Sequence, residues 1–365
     1  MPLSARKLPL LLLVIGAAAA FAAGRTFGAA PPAALFNDAH FHLTNYVQKG
    51  PDAQTLMHLV GGKVGRIAMF GIPLQQEWSH EVSGDTAPTY YLQSDAPLYY
   101  YSYTDAHIAL AYRSLSKGDQ ARVDPMITGF NPADMYAADH IRRVLADFPD
   151  VFSGIGEFSI HKEFVSGKIA GGTPSLRNPA LDRILDLAAE AGLVVLIHND
   201  LDVPFADSDG PPAYLRDVEA VFKRHPRATI IWAHMGLGRV VRPLEEQAAL
   251  VSHLLDDPQL AHVNFDISWN EVAKYLYRGV DTPRTIARVS TIINRHPDRF
   301  LFGTDEVAPE SAKEYFRVFE QYAPLWAALT PEAREKVLKG NYARLFDAAR
   351  VRVRAWERSH VAAAQ

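Results

Sequence analysis

Short apolar segments alternate with longer amphipathic segments along nearly all of the chain after residue 34. Eight short segments have the length and composition of strands, and the segments between them have helical periodicity. The candidate strands are Leu35–His42, Val64–Phe70, Val123–Phe130, Phe152–Phe158, Leu193–His198, Thr229–His234, His262–Ile267 and Phe300–Asp305. The candidate helices include Ala133–Phe148, Pro179–Ala191, Ala213–Arg224, Thr285–Arg295 and Glu332–Leu338. Strand and helix in alternation form parallel sheets, and eight such units predict an α/β fold, a single-domain (β/α)₈ (TIM) barrel.

Three of the predicted helices end in a proline that is expected to begin the next strand: Pro149, Pro226 and Pro297. Proline stops a helix, so each of these strands has a defined starting point. An ionisable residue follows eight positions after each proline, namely Glu157, His234 and Asp305. The repeated spacing predicts that these side chains lie at one level, at the C-terminal face of the barrel, where barrel enzymes place their chemistry.

The remaining organisation consists of two terminal segments and one excursion. Residues 1–30 read as a signal peptide and linker, because a basic start precedes an apolar run that is too short to span a membrane. Residues 31–350 are assigned to the barrel and residues 351–365 to a C-terminal helical tail. A tyrosine-rich segment from Leu74 to Tyr103 is predicted to be a long excursion after strand two. Export to the periplasm or the extracellular space follows from the signal peptide.

Composition excludes several classes of function. The net charge is −4, and no Lys/Arg cluster persists beyond the N-terminus, which argues against nucleic acid as a partner. The chain has no cysteine, so disulfides, thiolate metal sites and cysteine nucleophiles are excluded. We expect a small-molecule substrate and no stable membrane span after signal cleavage. The sequence leaves the oligomeric state open, and a homo-oligomer is compatible with it.

Histidines close several of the predicted strands. His40 and His42 end strand one, and side chains two positions apart in a strand point the same way, so both face the barrel interior. Two imidazoles converging from one strand can form half of a metal site, although H-x-H alone is a weak signal. His198 ends strand five, where it can supply a third nitrogen or serve as a hydrogen-bonded core residue. His234 ends strand six in the same way.

Asp305 ends an otherwise apolar strand. A carboxylate in that position is costly unless it is paired or coordinates a cation. The alternative role is an N-cap on the following helix. The ordered set of H-x-H on strand one, histidine on strands five and six, and aspartate on strand eight resembles the amidohydrolase superfamily, in particular its amidohydrolase-2 branch. The closing segment Lys339–Phe346 is also similar to that branch, and the resemblance covers nearly everything after residue 34 except the tyrosine-rich excursion.

The resemblance implies a role for each residue of the set. His40, His42 and His198 would be metal ligands, and Asp305 would coordinate the metal and take a proton from its bound water. His234 would bind a second metal or polarise the substrate. Glu157 occupies the strand-four position of a bridging acid in binuclear relatives, and otherwise it only hydrogen-bonds His198 or another ligand. His161 and Asn199 on the same face could touch the substrate or be plain loop residues. Asp266 and Trp269 could shape the pocket, and Asp266 could as well orient a histidine.

The resulting hypothesis is a hydrolase that uses a metal-activated water on a lactone, amide or ester-type substrate, with Asp305 and His234 as catalytic residues. The cofactor would be one or two divalent ions, zinc foremost, with manganese, iron, cobalt or nickel also suited to oxygen and nitrogen ligands. The alternative is a non-oxidative, metal-dependent decarboxylase of the same superfamily, with Arg113 or Arg239 aimed at a substrate carboxylate. A third hypothesis is a non-catalytic binding role, which an intact set of water-activating residues disfavours.

Overall fold

A computed structural model describes most of the chain after residue 32. The described ranges are 33–45, 48–72, 80, 84–85, 103–163, 174–206, 210–240, 247–276 and 282–360. The predicted signal peptide lies outside them, as does most of the predicted tyrosine-rich excursion. The part of the chain from Ala33 onward forms one compact unit. None of the helices within the described ranges has the length and apolar content needed to cross a bilayer.

The strands of the described ranges form one parallel sheet whose neighbours follow chain order from the first strand to the eighth. The strands are β1 (Phe36–His42), β2 (Val64–Phe70), β3 (Val123–Ile127), β4 (Gly154–Ser159), β5 (Val194–His198), β6 (Thr229–Trp232), β7 (Val263–Ile267), β8 (Phe300–Phe302) and β9 (Glu306–Val307). β9 pairs with β1, so the curled sheet closes on itself. The predicted α/β barrel fold is confirmed.

The eighth position of the barrel is shared by two short strands rather than filled by one. β8 pairs with β7, and β9 pairs with β1. Between them the Gly303 N–H donates to the Ile267 carbonyl at 3.2 Å, and the Asp305 N–H donates to the His40 carbonyl at 2.7 Å. The prediction of an unbroken strand from Phe300 to Asp305 is therefore wrong, because the backbone turns at Asp305, where φ is +51°.

Helices surround the sheet. They are α1 (Ala53–Val60), α2 (Thr104–Ser114), α3 (Lys117–Gln120), α4 (Ala137–Asp147), α5 (Pro179–Ala191), α6 (Leu215–Arg224), α7 (Gln247–Asp256), α8 (Trp269–Leu276), α9 (Thr282–Arg295), α10 (Ala312–Gln321), α11 (Ala323–Ala328), α12 (Pro331–Glu335) and α13 (Asn341–His360). The α5 helix has the predicted bounds because its ends are encoded locally. The Asn178 side chain accepts from the Ala180 N–H at 2.9 Å, proline occupies the first turn, and Gly192 takes a left-handed φ of +79° at the end.

The three prolines stop their helices but do not begin the strands. The preceding helices end at Asp147, Arg224 and Arg295, whereas the strands start at Gly154, Thr229 and Phe300. The prolines lie in the turns between the helices and the strands. The ionisable residue eight positions after each proline nevertheless reaches the C-terminal end of the barrel.

The last helix, α13, closes the opposite end of the barrel. Its residues Tyr342, Leu345, Phe346 and Ala349 join a buried cluster with the inward-facing side chains of the strands. Arg350 donates to the Val123 carbonyl and Arg354 to the Phe152 carbonyl, at the beginnings of β3 and β4. The helix continues without a break through residue 350, where the sequence suggested the start of a tail.

Candidate metal centre

The six residues singled out by the resemblance lie together at the C-terminal ends of the strands. They come from five places in the barrel: β1 supplies His40 and His42, β4 supplies Glu157, β5 supplies His198, the turn after β6 supplies His234, and the kink between β8 and β9 supplies Asp305. The histidines and Glu157 are at most 1% exposed, and Asp305 is slightly more accessible. The barrel therefore gathers a buried set of nitrogen and oxygen ligands.

His40, His42, Glu157 and Asp305 form a group of four side chains that could hold a metal ion. The Nε2 atoms of His40 and His42 both lie 3.1 Å from Asp305 Oδ1. Glu157 Oε2 lies 3.4 Å from His42 Nε2 and 3.9 Å from His40 Nε2. One ligand atom of each residue falls within 4.8 Å of the others, so the four side chains face a common point.

His198 lies in a second group, with Glu157 and His234. Glu157 Oε1 is 2.6 Å from His198 Nδ1 and 3.7 Å from His234 Nε2. Glu157 therefore belongs to both groups, through a different oxygen in each. The sequence grouped His198 with His40 and His42 as a third nitrogen, whereas in the structure the nearest members of the set to His198 are Glu157 and His234.

Two buried nitrogens in this centre lack a hydrogen-bond partner of acceptable geometry among the described residues: His40 Nε2 and His234 Nε2. A buried polar atom without a partner is costly, so each such atom needs an explanation. Both nitrogens sit beside Glu157 and Asp305 carboxylate oxygens. Imidazole nitrogens and carboxylate oxygens without sulfur form a donor set that suits a divalent cation of the zinc or manganese type. The residues present therefore fit a metal.

Electrostatics favour positive charge at this point. Burial alone would lower the pKa of His40, but Asp305 and Asp266 raise it well above its usual range. Burial alone would raise the pKa of Asp305, but His40 and His42 hold it well below its usual range. The pKa of Glu157 is also held well below its usual range, against the effect of burial, by Lys162 and His198. The carboxylates thus remain ionised and create a negative potential that a cation would neutralise.

Asp266, at the end of β7, connects two histidines of the centre. Its Oδ2 is 2.6 Å from His40 Nδ1, and its Oδ1 accepts from the His234 N–H at 2.6 Å and from the Ser268 hydroxyl at 2.7 Å. The Ser268 hydroxyl lies 2.7 Å from His234 Nδ1. With Nδ1 of each ring engaged in this way, Nε2 is turned towards the carboxylates. Asp266 thus orients a histidine, one of the roles that the sequence suggested.

Three residues around the centre have left-handed backbone conformations: His234 (φ +53°), Trp269 (φ +63°) and Asp305 (φ +51°). Such conformations are strained for residues with bulky side chains, and they persist only where surrounding contacts enforce them. The Tyr322 hydroxyl donates to the Trp269 carbonyl at 2.8 Å, and Asp266 holds the His234 N–H. The indole of Trp269 lies 4.9 Å from the His234 ring and forms a wall of the centre.

Sequence reasoning did not identify Lys162, Asp200 or Ser268. Lys162 Nζ lies 3.0 Å from Glu157 Oε1, and Asp200 Oδ1 lies 3.0 Å from His198 Nε2. Asp200 and Ser268 each follow a site residue, His198 or Asp266, by two positions. That spacing was the only signal in the sequence for these two residues. It places both side chains on the same side as His198 and Asp266 only if the chain stays extended beyond the strand end, which the sequence does not show.

The other residues proposed for the pocket differ in position. Arg239 lies with its guanidinium 5.0 Å from the Trp269 ring, and both residues line a cleft of about 440 Å³ that reaches Asp305. Arg113 instead stacks on Phe148, with its guanidinium 5.4 Å from that ring, and donates to the Pro149 carbonyl at the end of α4, away from the centre. The His161 ring stacks on the Tyr214 ring with 3.9 Å between the ring centroids. The His161 backbone N–H donates to the Asn199 side-chain oxygen.

Comparison with known proteins gives a family and a fold. Residues 38–348 match the family model described as Amidohydrolase. No curated protein matches the chain. Among solved structures, an uncharacterised TIM-barrel protein from Bordetella bronchiseptica shares 14% identity over 86% of this chain and 99% of that one, with a TM-score of 0.51.

Two further solved structures have a TM-score of 0.50. A protein proposed to be a 2-pyrone-4,6-dicarboxylic acid hydrolase from Pseudomonas putida is 15% identical, over 86% of this chain and 98% of that one. An amidohydrolase from Burkholderia multivorans with bound zinc is also 15% identical, over 86% of this chain and 99% of that one. At such low identity these structures support the fold alone.

Proposed function

Because the chain belongs to the amidohydrolase family, we propose that it is a metal-dependent hydrolase acting on a lactone, amide or ester-type substrate. The observation that carries the proposal is the convergence of His40, His42, Glu157 and Asp305 within 4.8 Å. Two buried nitrogens there, His40 Nε2 and His234 Nε2, have no hydrogen-bond partner within the described part of the chain. These atoms are explained together if they bind a cation. The cleft beside Asp305 provides access for a small molecule.

His40, His42, Glu157 and Asp305 would hold one cation, and Glu157, His198 and His234 offer ligands for a second. A bound divalent cation would supply Lewis-acid chemistry, activating water and polarising a carbonyl oxygen. Asp305 is placed to accept a proton from that water at Oδ2, because its Oδ1 faces His40 and His42 while its Oδ2 lies 3.8 Å from His234 Nε2. If His234 does not bind a second cation, its Nε2 would instead carry a proton and stabilise negative charge that develops on the substrate oxygen.

The number of ions can be measured by elemental analysis of wild-type protein and Glu157→Gln, loaded with zinc in parallel. Zinc is the first choice because the Burkholderia structure contains it. We expect two ions per wild-type chain and one in the variant. Without the Glu157 carboxylate the first group keeps three ligands, whereas the second keeps only His198 and His234. Glu357→Gln is a matched control, since Glu357 is also a buried glutamate but lies on α13, at the other end of the barrel.

Each result has a separate meaning. Two ions in the wild type would favour hydrolysis, and a screen of lactones, esters and amides would follow. One ion in both proteins would place Glu157 outside the ligand set. No ion in either, after attempted reconstitution, would contradict the proposed function.

Non-oxidative decarboxylation is the second candidate, and the position of Arg239 favours it. Its guanidinium lies over Trp269 in the cleft that contains Asp305, where it could engage a substrate carboxylate. A parallel screen of aromatic carboxylic acids for released carbon dioxide distinguishes the two reactions. Decarboxylation would be the better assignment if an aromatic carboxylic acid releases carbon dioxide, Arg239→Gln abolishes that release, and esters and lactones are not turned over.

A further inference from the structure

Both ring nitrogens of His198 face carboxylates. Nδ1 lies 2.6 Å from Glu157 Oε1, and Nε2 lies 3.0 Å from Asp200 Oδ1. A histidine binds a metal through one unprotonated nitrogen, and the partner of the other nitrogen determines which one that is. The contacts of the two nitrogens therefore decide how His198 can act.

The Nδ1 side faces the metal centre. Glu157 Oε1, the neighbour of Nδ1, is also 3.7 Å from His234 Nε2, and Glu157 Oε2 approaches His42. The Nε2 side faces Asp200, which lies outside the group of His40, His42, Glu157 and Asp305. A proton on Nε2 would thus be directed away from the centre, and the lone pair on Nδ1 towards it.

We propose that Asp200 is a positioning residue that keeps the proton of His198 on Nε2, so that Nδ1 is the ligand atom. The inference rests on the proposed function, because it requires a cation at the centre. It adds a second carboxylate–histidine pair to the Asp266–His40 pair on the other side of the barrel.

The Asp200 carboxylate is itself held in place. It is 1% exposed, and its Oδ2 accepts from the Glu163 N–H at 2.9 Å. The Asp200 N–H donates to the His161 carbonyl at 2.7 Å. A Cβ atom at position 238 would lie 2.5 Å from Asp200 Oδ1, so Gly238 leaves the space that this oxygen occupies. Oδ1 faces the His198 ring at 3.0 Å from Nε2, and the Glu163 carboxyl group also contacts Asp200.

The substitution Asp200→Asn exchanges donor and acceptor in the hydrogen bond between residue 200 and His198 Nε2. The Glu163 N–H requires an acceptor, so the amide oxygen at position 200 is expected to take the place of Oδ2. The amide NH₂ then faces His198 Nε2 as a donor. Nε2 must accept, the proton moves to Nδ1, and Nδ1 can no longer bind a cation.

The test measures zinc affinity by chelator competition for wild-type protein, Asp200→Asn and Asp105→Asn. We expect Asp200→Asn to weaken zinc binding about 10- to 100-fold, the usual effect of losing a carboxylate partner of a metal-bound histidine. Asp105→Asn is the matched control and should bind within about threefold of wild type. Asp105 is likewise a buried aspartate that accepts backbone N–H groups, from Thr128 and Gly129.

A second measurement reads the tautomer directly. Protein with ¹⁵N-labelled histidine is loaded with zinc, and the His198 signals are assigned by their loss in His198→Gln. We expect wild-type His198 to carry its proton on Nε2. A role of Asp200 in stability alone would leave this tautomer unchanged in Asp200→Asn.

The outcomes separate the inference from the proposed function. Wild-type protein that binds no zinc would overturn both. Zinc binding that Asp200→Asn leaves unchanged, with the proton still on Nε2, would overturn the inference alone. If Asp200→Asn does not fold, Gly238→Ala replaces it, because its methyl group displaces Asp200 Oδ1 without removing the carboxylate. If Gly238→Ala then binds zinc as tightly as wild type, the proposed positioning role of Asp200 is contradicted.

Discussion

At position 303 the backbone of the closing segment passes directly beside His40. A Cβ atom there would lie 2.5 Å from the His40 Cβ and 2.8 Å from its backbone nitrogen. Neither neighbour is the flexible end of a side chain, so neither can move aside without moving β1. Gly303 therefore allows the end of β8 to approach β1 closely enough to bring Asp305 next to the histidines.

We expect Gly303→Ala to weaken zinc binding at least tenfold and to destabilise the fold by about 1–3 kcal/mol, as overpacking usually does. Chelator competition and thermal melting measure the two effects. Gly62→Ala is the control, because nothing lies within 4 Å of the added methyl group. Equal zinc affinity in wild type and Gly303→Ala would show that the close approach to His40 is not required.

At the residue scale, the sequence predicted the set that the structure brings together because each member ends or closely follows a strand. Alternation along a strand was enough to place His40 and His42 on one side. Ser268 and Asp200 escaped prediction because they act from loops, where the direction of a side chain depends on long-range contacts. The left-handed conformations of His234 and Trp269 have no local sequence signal either.

At the scale of elements, α13 is held by charged groups as well as by its apolar face. Glu357 Oε2 lies 3.0 Å from Arg354 Nη1 and accepts from the Asp150 N–H at 3.2 Å. Its other oxygen, Oε1, is buried and has no hydrogen-bond partner among the described residues. Burial therefore raises the pKa of Glu357 to about 7, although Arg354 acts in the opposite direction.

This pKa predicts a pH-dependent stability. In the unfolded chain Glu357 titrates near 4.5, so between that pH and about 7 the folded state keeps a proton that the unfolded state has lost. The stabilisation is complete below 4.5 and is lost as the pH rises through 7. Glu357→Gln removes this dependence, so its stability relative to wild type should rise by about 1–3 kcal/mol between pH 5 and pH 8.

Melting temperatures of the two proteins at pH 5 and pH 8 measure the difference. The control is Glu320→Gln, a change at an exposed glutamate of α10. Parallel pH dependences for wild type and Glu357→Gln would contradict the raised pKa.

Helix α5 was predicted with its correct bounds because both of its ends are encoded locally. The split of strand eight was missed because the bend at Asp305 is imposed by pairing with β1, far away in sequence. The role of α13 was missed for a similar reason. Its amphipathic pattern indicates a helix, but not that Tyr342 and Phe346 fill the end of the barrel.

At the scale of the whole molecule, the candidate metal centre and helix α13 lie at opposite ends of one barrel. The ligand set occupies the C-terminal ends of the strands, whereas α13 covers their beginnings. Both ends belong to the compact unit that begins at Ala33.

We propose that the protein is exported and predict a mature N-terminus between about residues 22 and 31, as expected for a cleaved signal peptide. Mass spectrometry of the exported fraction measures it. Protein produced without residues 1–30 should bind zinc as the exported form does. Retention of Met1 in the exported fraction would contradict cleavage.

The closure of the barrel also sets an order of events during synthesis. The carboxylate of Asp38, on β1, accepts hydrogen bonds from the N–H and hydroxyl of Thr304 and from the hydroxyl of Tyr315. The buried cluster inside the barrel also includes Tyr342 and Phe346, from the last helix. A chain emerging from the ribosome can pair β1 with β2 early, but it cannot form these closing contacts until residues 304–346 have been made. Contacts between such distant residues slow folding. If the chain is exported as proposed, this delay would leave it time to cross the membrane before its two ends meet.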